Sequence, residues 1–191
     1  MLNIKLSFKI IIFGFIFTFF SSFGQSFFIG LFNSSIRFDL NITHGQFGTI
    51  YALATLISSF ILIWLGKKID DFKLLYFSFI VIILLFFSSI FFSFVNNIYL
   101  LFIGIFLLRL SGQGLMAHTA TTSVSRYFSL NRGKALSATW LGLSAAEFVM
   151  PITVVFFLAA YSWRDIWLSI GLIVILFLPV ISFLTIKNIN L

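Results

Sequence analysis

Residues 74–95 read LLYFSFIVIILLFFSSIFFSFV, an apolar run without a charged side chain, entered by Lys73 and left by Asn96-Asn97. A helix rising ~1.5 Å per residue needs about 20 apolar residues to cross a hydrocarbon core of ~30 Å, and this run has that length. A helix on the surface of a soluble domain would show a polar face, and this one has none. Outward from it the pattern repeats. Comparable runs cover 10–33, 45–65, 98–125, 135–161 and 166–186, joined at Ser34–His44, Gly66–Lys73, Asn96–Asn97, Arg126–Lys134 and Ser162–Asp165. In lipid every backbone polar group must be paired within the protein, and the ~10-residue alternation of barrel strands is absent, so the spans are helices. The expectation is an all-α integral membrane protein, a single domain over 1–191 with six transmembrane helices.

Composition agrees. Of 191 residues 61% are hydrophobic and 9% are charged, against ~25% charged in soluble domains. With no cysteine, disulfides, thiolate metal sites and cysteine nucleophiles are excluded. No metal or cofactor is expected. The net charge of +7 sits between apolar spans and not on a face with stacking aromatics. It therefore reads as a topology signal facing the lipid bilayer, and no nucleic-acid partner is expected.

Placing the amino terminus in the cytoplasm puts Lys5, Lys9, Lys67, Lys68, Lys73, Arg126, Arg132, Lys134 and Lys187 inside, and only Arg37 and Arg164 outside. The positive-inside rule then puts both termini on the cytoplasmic side of a cell membrane, which requires an even number of spans. The first span follows Lys5 and Lys9 as a signal peptide would. Its apolar run continues through Phe27–Phe32, beyond a signal core of ~7–15 residues, so an uncleaved helix is expected.

The spans are of two kinds. The third and sixth are Ile, Leu, Val and Phe through Ile80–Phe87 and Leu172–Phe177, and suit lipid-facing positions. The other four carry polar groups at helical spacing. These are Thr18, Ser21, Ser22 and Gln25; Tyr51, Thr55, Ser58 and Ser59; Arg109, Gln113, His118, Thr121, Thr122 and Ser125; and Ser137, Ser144 and Glu147 with Trp140 and Pro151. Such faces belong toward the protein interior or a cavity. The alternation has a period of three spans, as two three-helix repeats would give.

Only Arg109 and Glu147 lie deep within spans. Arg109 is ~16 Å from the outer end of span four and Glu147 ~18 Å from the inner end of span five, both near the midplane. An isolated charge there costs about 2.5–3.5 kcal/mol on insertion scales, so an Arg109–Glu147 ion pair is expected, either lining a translocation cavity or fixing helix packing. Gly104, Gly112, Gly114, Gly142, Ala145 and Ala146 read as close-packing positions, and Pro151 as a kink. His118 reads as a satisfied packing residue, with a proton relay as the sharper alternative. An intramembrane serine protease would need an activated Ser beside a His, and no Gly-x-Ser-x-Gly segment exists. The chain is therefore not expected to be an enzyme.

Several local motifs now fall into order. The loop Gly66-Lys67-Lys68-Ile69-Asp70-Asp71-Phe72-Lys73 has Gly followed four residues later by Asp among basic residues. Span four carries Arg109-Leu110-Ser111-Gly112-Gln113-Gly114, span five carries Pro151 after Met150, and span six opens with Ser162-Trp163-Arg164. In these features the chain resembles the major facilitator superfamily. The segment Phe23-Gly24-Gln25-Ser26-Phe27-Phe28 is similar to the first span of its monocarboxylate and oxalate–formate branch. The resemblance covers the first six of the family's usual twelve spans. It implies the amino-terminal half of a twelve-helix secondary transporter, working by alternating access on a small solute such as an organic anion. It also implies a role in substrate or proton coupling for Arg109, and a conformational loop at Gly66 and Asp70. Gln25, Arg109, Gln113 and Glu147 are the candidate substrate or coupling residues. The partner would be a second six-helix half, whether another chain, a second copy or a missing part. A fragment or split half is the expectation. A membrane assembly protein descended from a transporter is the alternative.

Overall fold

A computed structural model describes residues 4–189. Residues 1–3 and 190–191 of the expected domain, and the side chains of Ile4 and Lys5, lie outside the described part. The helices are α1 (Ile4–Ser21), α2 (Ser26–Leu31), α3 (Asn33–Leu40), α4 (His44–Lys67), α5 (Leu74–Ser93), α6 (Ile98–Leu108), α7 (Ala117–Tyr127), α8 (Arg132–Leu158) and α9 (Trp163–Ile186). Six stretches are long and apolar enough to cross a membrane: Leu6–Gly24, His44–Asp70, Leu74–Ser93, Ile98–Tyr127, Arg132–Leu158 and Trp163–Ile186. We number these spans one to six.

Span one differs from the uninterrupted helix expected over 10–33. After α1 a 3-10 turn, Ser22–Gly24, leads into Gln25, whose extended backbone (φ −80°, ψ 154°) breaks the helix before α2. Serine offers the backbone competing hydrogen bonds and glycine weakens a helix, so Ser21-Ser22-Phe23-Gly24 is a poor helix interior. The expected connection Ser34–His44 is largely helical as α3 and ends in a left-handed turn at Asn41 (φ 50°). Span two then starts cleanly. The Thr43 hydroxyl accepts from the Gln46 peptide N–H, and the Gln46 side chain accepts from the Thr43 N–H.

Span four is one continuous rod whose centre, Arg109–Met116, is wound as a π-helix between α6 and α7. Extra residues per turn are tolerated where small side chains permit, and they commonly mark functional sites. The two interrupted helices, one and four, hold equivalent places in the two three-helix repeats. The packing has the matching symmetry. Span one packs on five as four packs on two, and on six as four packs on three; the one–four and three–six contacts map onto themselves. An exchange of spans one to three with four to six reproduces this pattern, as an inverted repeat requires.

Glycines set the crossings. A Cβ on Gly142 would lie 2.0 Å from the Phe15 carbonyl oxygen, and one on Gly171 2.7 Å from Ile90. The Thr18 hydroxyl beside Gly142 donates to the Thr139 carbonyl at 2.6 Å, tying span one to span five. Trp167 is fully buried against Phe28, Phe32 and Phe92, with ring centroids 5.5, 5.4 and 4.8 Å away. That cluster fastens α2, span three and span six together.

The featureless spans are not the most exposed ones. Spans three and six back onto each other and are 44% and 39% buried, keeping an outer strip of Ile80, Ile83, Phe87, Leu172, Leu176 and Phe177. Spans two and five are only 11% and 17% buried, against 61% for span four. An all-apolar helix packs as well on protein as on lipid, so its composition does not tell which neighbour it takes.

Candidate functional site

The break in span one and the π-segment of span four meet in the bundle. A Cβ on Gly24 would lie 2.3 Å from the Leu108 carbonyl oxygen and 2.4 Å from the Gln113 nitrogen, and one on Gly112 2.6 Å from the Gly24 nitrogen. Only two glycines permit this approach of backbone to backbone.

At this crossing Arg109 is buried, 7% exposed. Its Nη1 donates to the Gly24 carbonyl at 3.0 Å and to the Ser26 hydroxyl oxygen at 3.3 Å, on either side of Gln25. The break thus frees a carbonyl that the guanidinium takes up. Tyr51 of span two completes the setting. Its hydroxyl donates to the Ser26 oxygen at 2.8 Å, and its ring centroid lies 5.3 Å from the guanidinium carbon. A cation held against a tyrosine face is stabilised by the ring quadrupole.

The fork is not fully engaged. Arg109 Nε has no hydrogen-bond partner among the described residues, and neither do Gln113 Oε1, Thr55 Oγ1 or Ser22 Oγ. Thr55 lies one turn along α4 from Tyr51, Gln113 one turn along span four from Arg109, and Ser22 within the turn before Gly24. Buried polar groups are nearly always satisfied, so the unengaged Nε leaves the polar nest that Gly24, Ser26 and Tyr51 form around Arg109 with capacity for one more acceptor.

The expected Arg109–Glu147 ion pair is not formed. Among the described residues the ion pairs are Lys68–Asp71, Arg126–Asp70 and Arg164–Asp39, and Glu147 is exposed on span five beside Phe148 and Val149. Span five packs chiefly on span one and reaches span four along α7, beyond Arg109. Which span each charge faces was not legible in the sequence. Gln25 is half-buried at the break, and Gln113 is half-buried in the π-segment. These two share the crossing with Arg109, and Glu147 does not.

Gly66 and Asp70 lie at the opposite end of span two, and both tie to span four. His118 Nε2 is 3.0 Å from the Gly66 carbonyl oxygen, and Asp70 pairs with Arg126. His118 Nδ1 lies 3.5 Å from the Thr122 hydroxyl, a bridging place between two spans. At the other end Asp39 receives the Trp163 indole N–H at 2.8 Å and pairs with Arg164, whose Nη2 donates to the Val95 carbonyl at 3.0 Å. The Trp163 N–H, then Arg164, hold the Asp39 carboxyl below its ordinary value.

Sequence reasoning did not single out Tyr51 or Ser26 as partners of Arg109. Tyr51 stood in the polar stripe of span two and Ser26 in the segment around the break, but neither spacing tells which guanidinium they meet. Most intramembrane hydroxyls instead bond their own helix, as Ser59 does with Thr55 O, Ser89 with Leu85 O and Thr119 with Leu115 O.

The family model of the Major Facilitator Superfamily matches residues 14–188, from α1 to the end of α9. The chain belongs to the Major Facilitator Superfamily. It is thus a multi-pass membrane protein of a transporter family, and its six-helix bundle is consistent with half of such a transporter. No curated protein matches the chain. In the terms of that family, the Gly24–Gly112 crossing joins the first helices of the two repeats within the half, and the Arg109 nest lies where those helices meet.

Proposed function

We propose that this six-helix unit forms one wall of a secondary transporter that moves a small anionic solute, such as an organic carboxylate, by alternating access. The buried Arg109 guanidinium carries the reading: its Nε is unengaged, and no carboxylate pairs with it among the described residues. A cation buried without a counter-ion is costly, and an incoming anion lowers that cost while gaining a charge-assisted hydrogen bond. Gln113 and Gln25 flank it as selective polar contacts. Glu147 serves as a coupling group on the exposed face of span five.

A second six-helix bundle is the partner this reading needs. Spans two and five, largely unburied, present Leu53, Leu56, Phe60 and Trp64 on one and Phe148, Ile152, Val155 and Phe156 on the other. These are surfaces for protein or lipid, not for water. The branch resembling monocarboxylate and oxalate–formate carriers enters as the source of trial substrates. The ends carrying Lys67, Lys68, Lys73, Arg126, Arg132 and Lys134 face the cytoplasm in this orientation.

The test is uptake of labelled small carboxylates into proteoliposomes holding the chain together with a complementary six-helix half. Uptake lost in Arg109→Gln, with the variant folded, is the expected result. Uptake unchanged in that variant removes Arg109 from the site. No flux of any solute with a stable two-half complex favours the assembly-protein reading instead.

A further inference from the structure

At the end of the bundle that carries Asp70 and the basic loops, a cavity of about 360 Å³ opens between spans four and five. Arg126 and Arg132 line it with Thr121, Thr122 and Ser125, and Leu136 and Trp140 form its apolar wall; no carboxylate is among its lining residues. It lies ~18 to ~25 Å along span four from Arg109, counted at the helical rise from Thr121 to Arg126, and so is separate from the Arg109 nest.

The donors here are largely uncommitted. Arg126 gives Nη2 to Asp70 from the span-two side. Arg132 and the Ser125 hydroxyl make no side-chain hydrogen bond or ion pair among the described residues. The Arg132 fork, the remainder of the Arg126 fork and the Ser125 hydroxyl still offer more donors than one carboxylate can accept, while the Thr122 hydroxyl lies beside His118. A tetrahedral oxyanion, with its oxygens spread over several directions, fits such a set. The wall adds a second requirement. Trp140 is 38% exposed and continues into the exposed apolar face of span five at Leu141. Trp140 stands ~12 Å along span five from Arg132, at the level of the upper acyl carbons below a headgroup held at Arg132.

We propose that this cavity binds a phosphate group, with the headgroup of an anionic phospholipid as its source: phosphate against Arg126 and Arg132, glycerol and upper acyl carbons along Leu136 and Trp140. Basic pockets between transmembrane helices at a membrane face are suited to such headgroups. The inference does not rest on transport, so its failure leaves the reading of Arg109 untouched, and the reverse.

The experiment uses the full chain purified in detergent, with two arms. In the first, native mass spectrometry compares retention of added phosphatidylglycerol and phosphatidylcholine. In the second, inorganic phosphate is titrated against tryptophan fluorescence, with Trp140→Phe identifying the Trp140 signal. Arg132→Gln is the test variant, since Arg132 is exposed and makes no ion pair or side-chain hydrogen bond among the described residues; Arg126→Lys is the second variant, keeping the charge near Asp70. Phosphatidylglycerol should be retained preferentially, with the preference falling about fivefold in Arg132→Gln, the effect of one basic residue at an anionic surface. A saturable Trp140 response to inorganic phosphate, lost in Arg132→Gln and without any lipid preference, supports the phosphate site and assigns its source to solution. If Arg132→Gln alters neither arm, the site is overturned.

Discussion

Gly24 and Gly112 face each other so closely that a Cβ built on either one collides with the backbone of the other's helix, at 2.3 Å from Leu108 O in one direction and 2.6 Å from Gly24 N in the other. This contact joins the broken helix to the π-wound helix and sets where the Gly24 carbonyl stands for Arg109. The polar nest therefore depends on two side chains that are not there.

Gly24→Ala and Gly112→Ala should each destabilise strongly, because backbone cannot yield as a flexible side chain can. Overpacking of this kind costs typically about 1–3 kcal/mol, and more where rigid groups collide. Gly30→Ala, with nothing within 4 Å of its Cβ position, should be neutral or gain up to ~1 kcal/mol from helix propensity. Thermal unfolding of the three variants in one detergent makes the comparison. Equal midpoints would show that the crossing is looser than described.

Tyr51→Phe should separate ring from hydroxyl. The ring over the Arg109 guanidinium remains, and the 2.8 Å bond to Ser26 is lost. The expected stability cost is about 1 kcal/mol. Tyr51→Leu removes the cation–π contact as well and should cost more. A thermal midpoint for Tyr51→Leu no lower than for Tyr51→Phe would leave the ring without a role.

Glu147→Gln should not destabilise the fold, because no ion pair is lost and a neutral amide is less costly than a carboxylate at membrane depth. It is exposed and in no ion pair among the described residues. In its proposed coupling role, the same variant should flatten the pH dependence of uptake in proteoliposomes. A folding defect as large as that of Arg109→Gln would restore the ion pair that the structure lacks.

Asp39 should give the protein an acid-sensitive fastening. The indole N–H of Trp163, then Arg164, stabilise its carboxylate, so its folded value lies below 3.8. A depressed carboxyl contributes stability that is present above its unfolded value and lost as pH falls through the folded one. The wild type should thus lose stability below about pH 4 more steeply than Asp39→Asn, which keeps an acceptor for Trp163 and drops the charge. Unfolding midpoints of the two proteins from pH 6 to pH 3 measure this. Parallel curves would remove Asp39 as the cause.

The legible part of the fold and the opaque part divide along physical lines. Span number, alternating direction and the place of Arg109 and Glu147 within their spans follow from apolar run length and charge position, because the bilayer imposes one dimension and sequence is ordered along it. The interruption at Gln25 was signalled by Ser21-Ser22-Phe23-Gly24, yet a run of phenylalanine on both sides masked it. The lateral order of the helices was not legible. Whether Arg109 meets Glu147 or Tyr51 depends on which span stands beside which, and apolar faces of similar composition leave that choice open.

By itself the sequence determined that this chain crosses a membrane as helices, with basic loops gathered at one end, because hydrocarbon admits no unpaired backbone and few charges. Only the tertiary structure decided that Arg109 is held by the Gly24 carbonyl and Ser26 under the Tyr51 ring, and that Glu147 stands apart. The reason is that contacts around a helix bundle are set by close approach at particular small residues, Gly24, Gly112 and Gly142 above all, and that approach is a property of pairs of helices, not of any one of them.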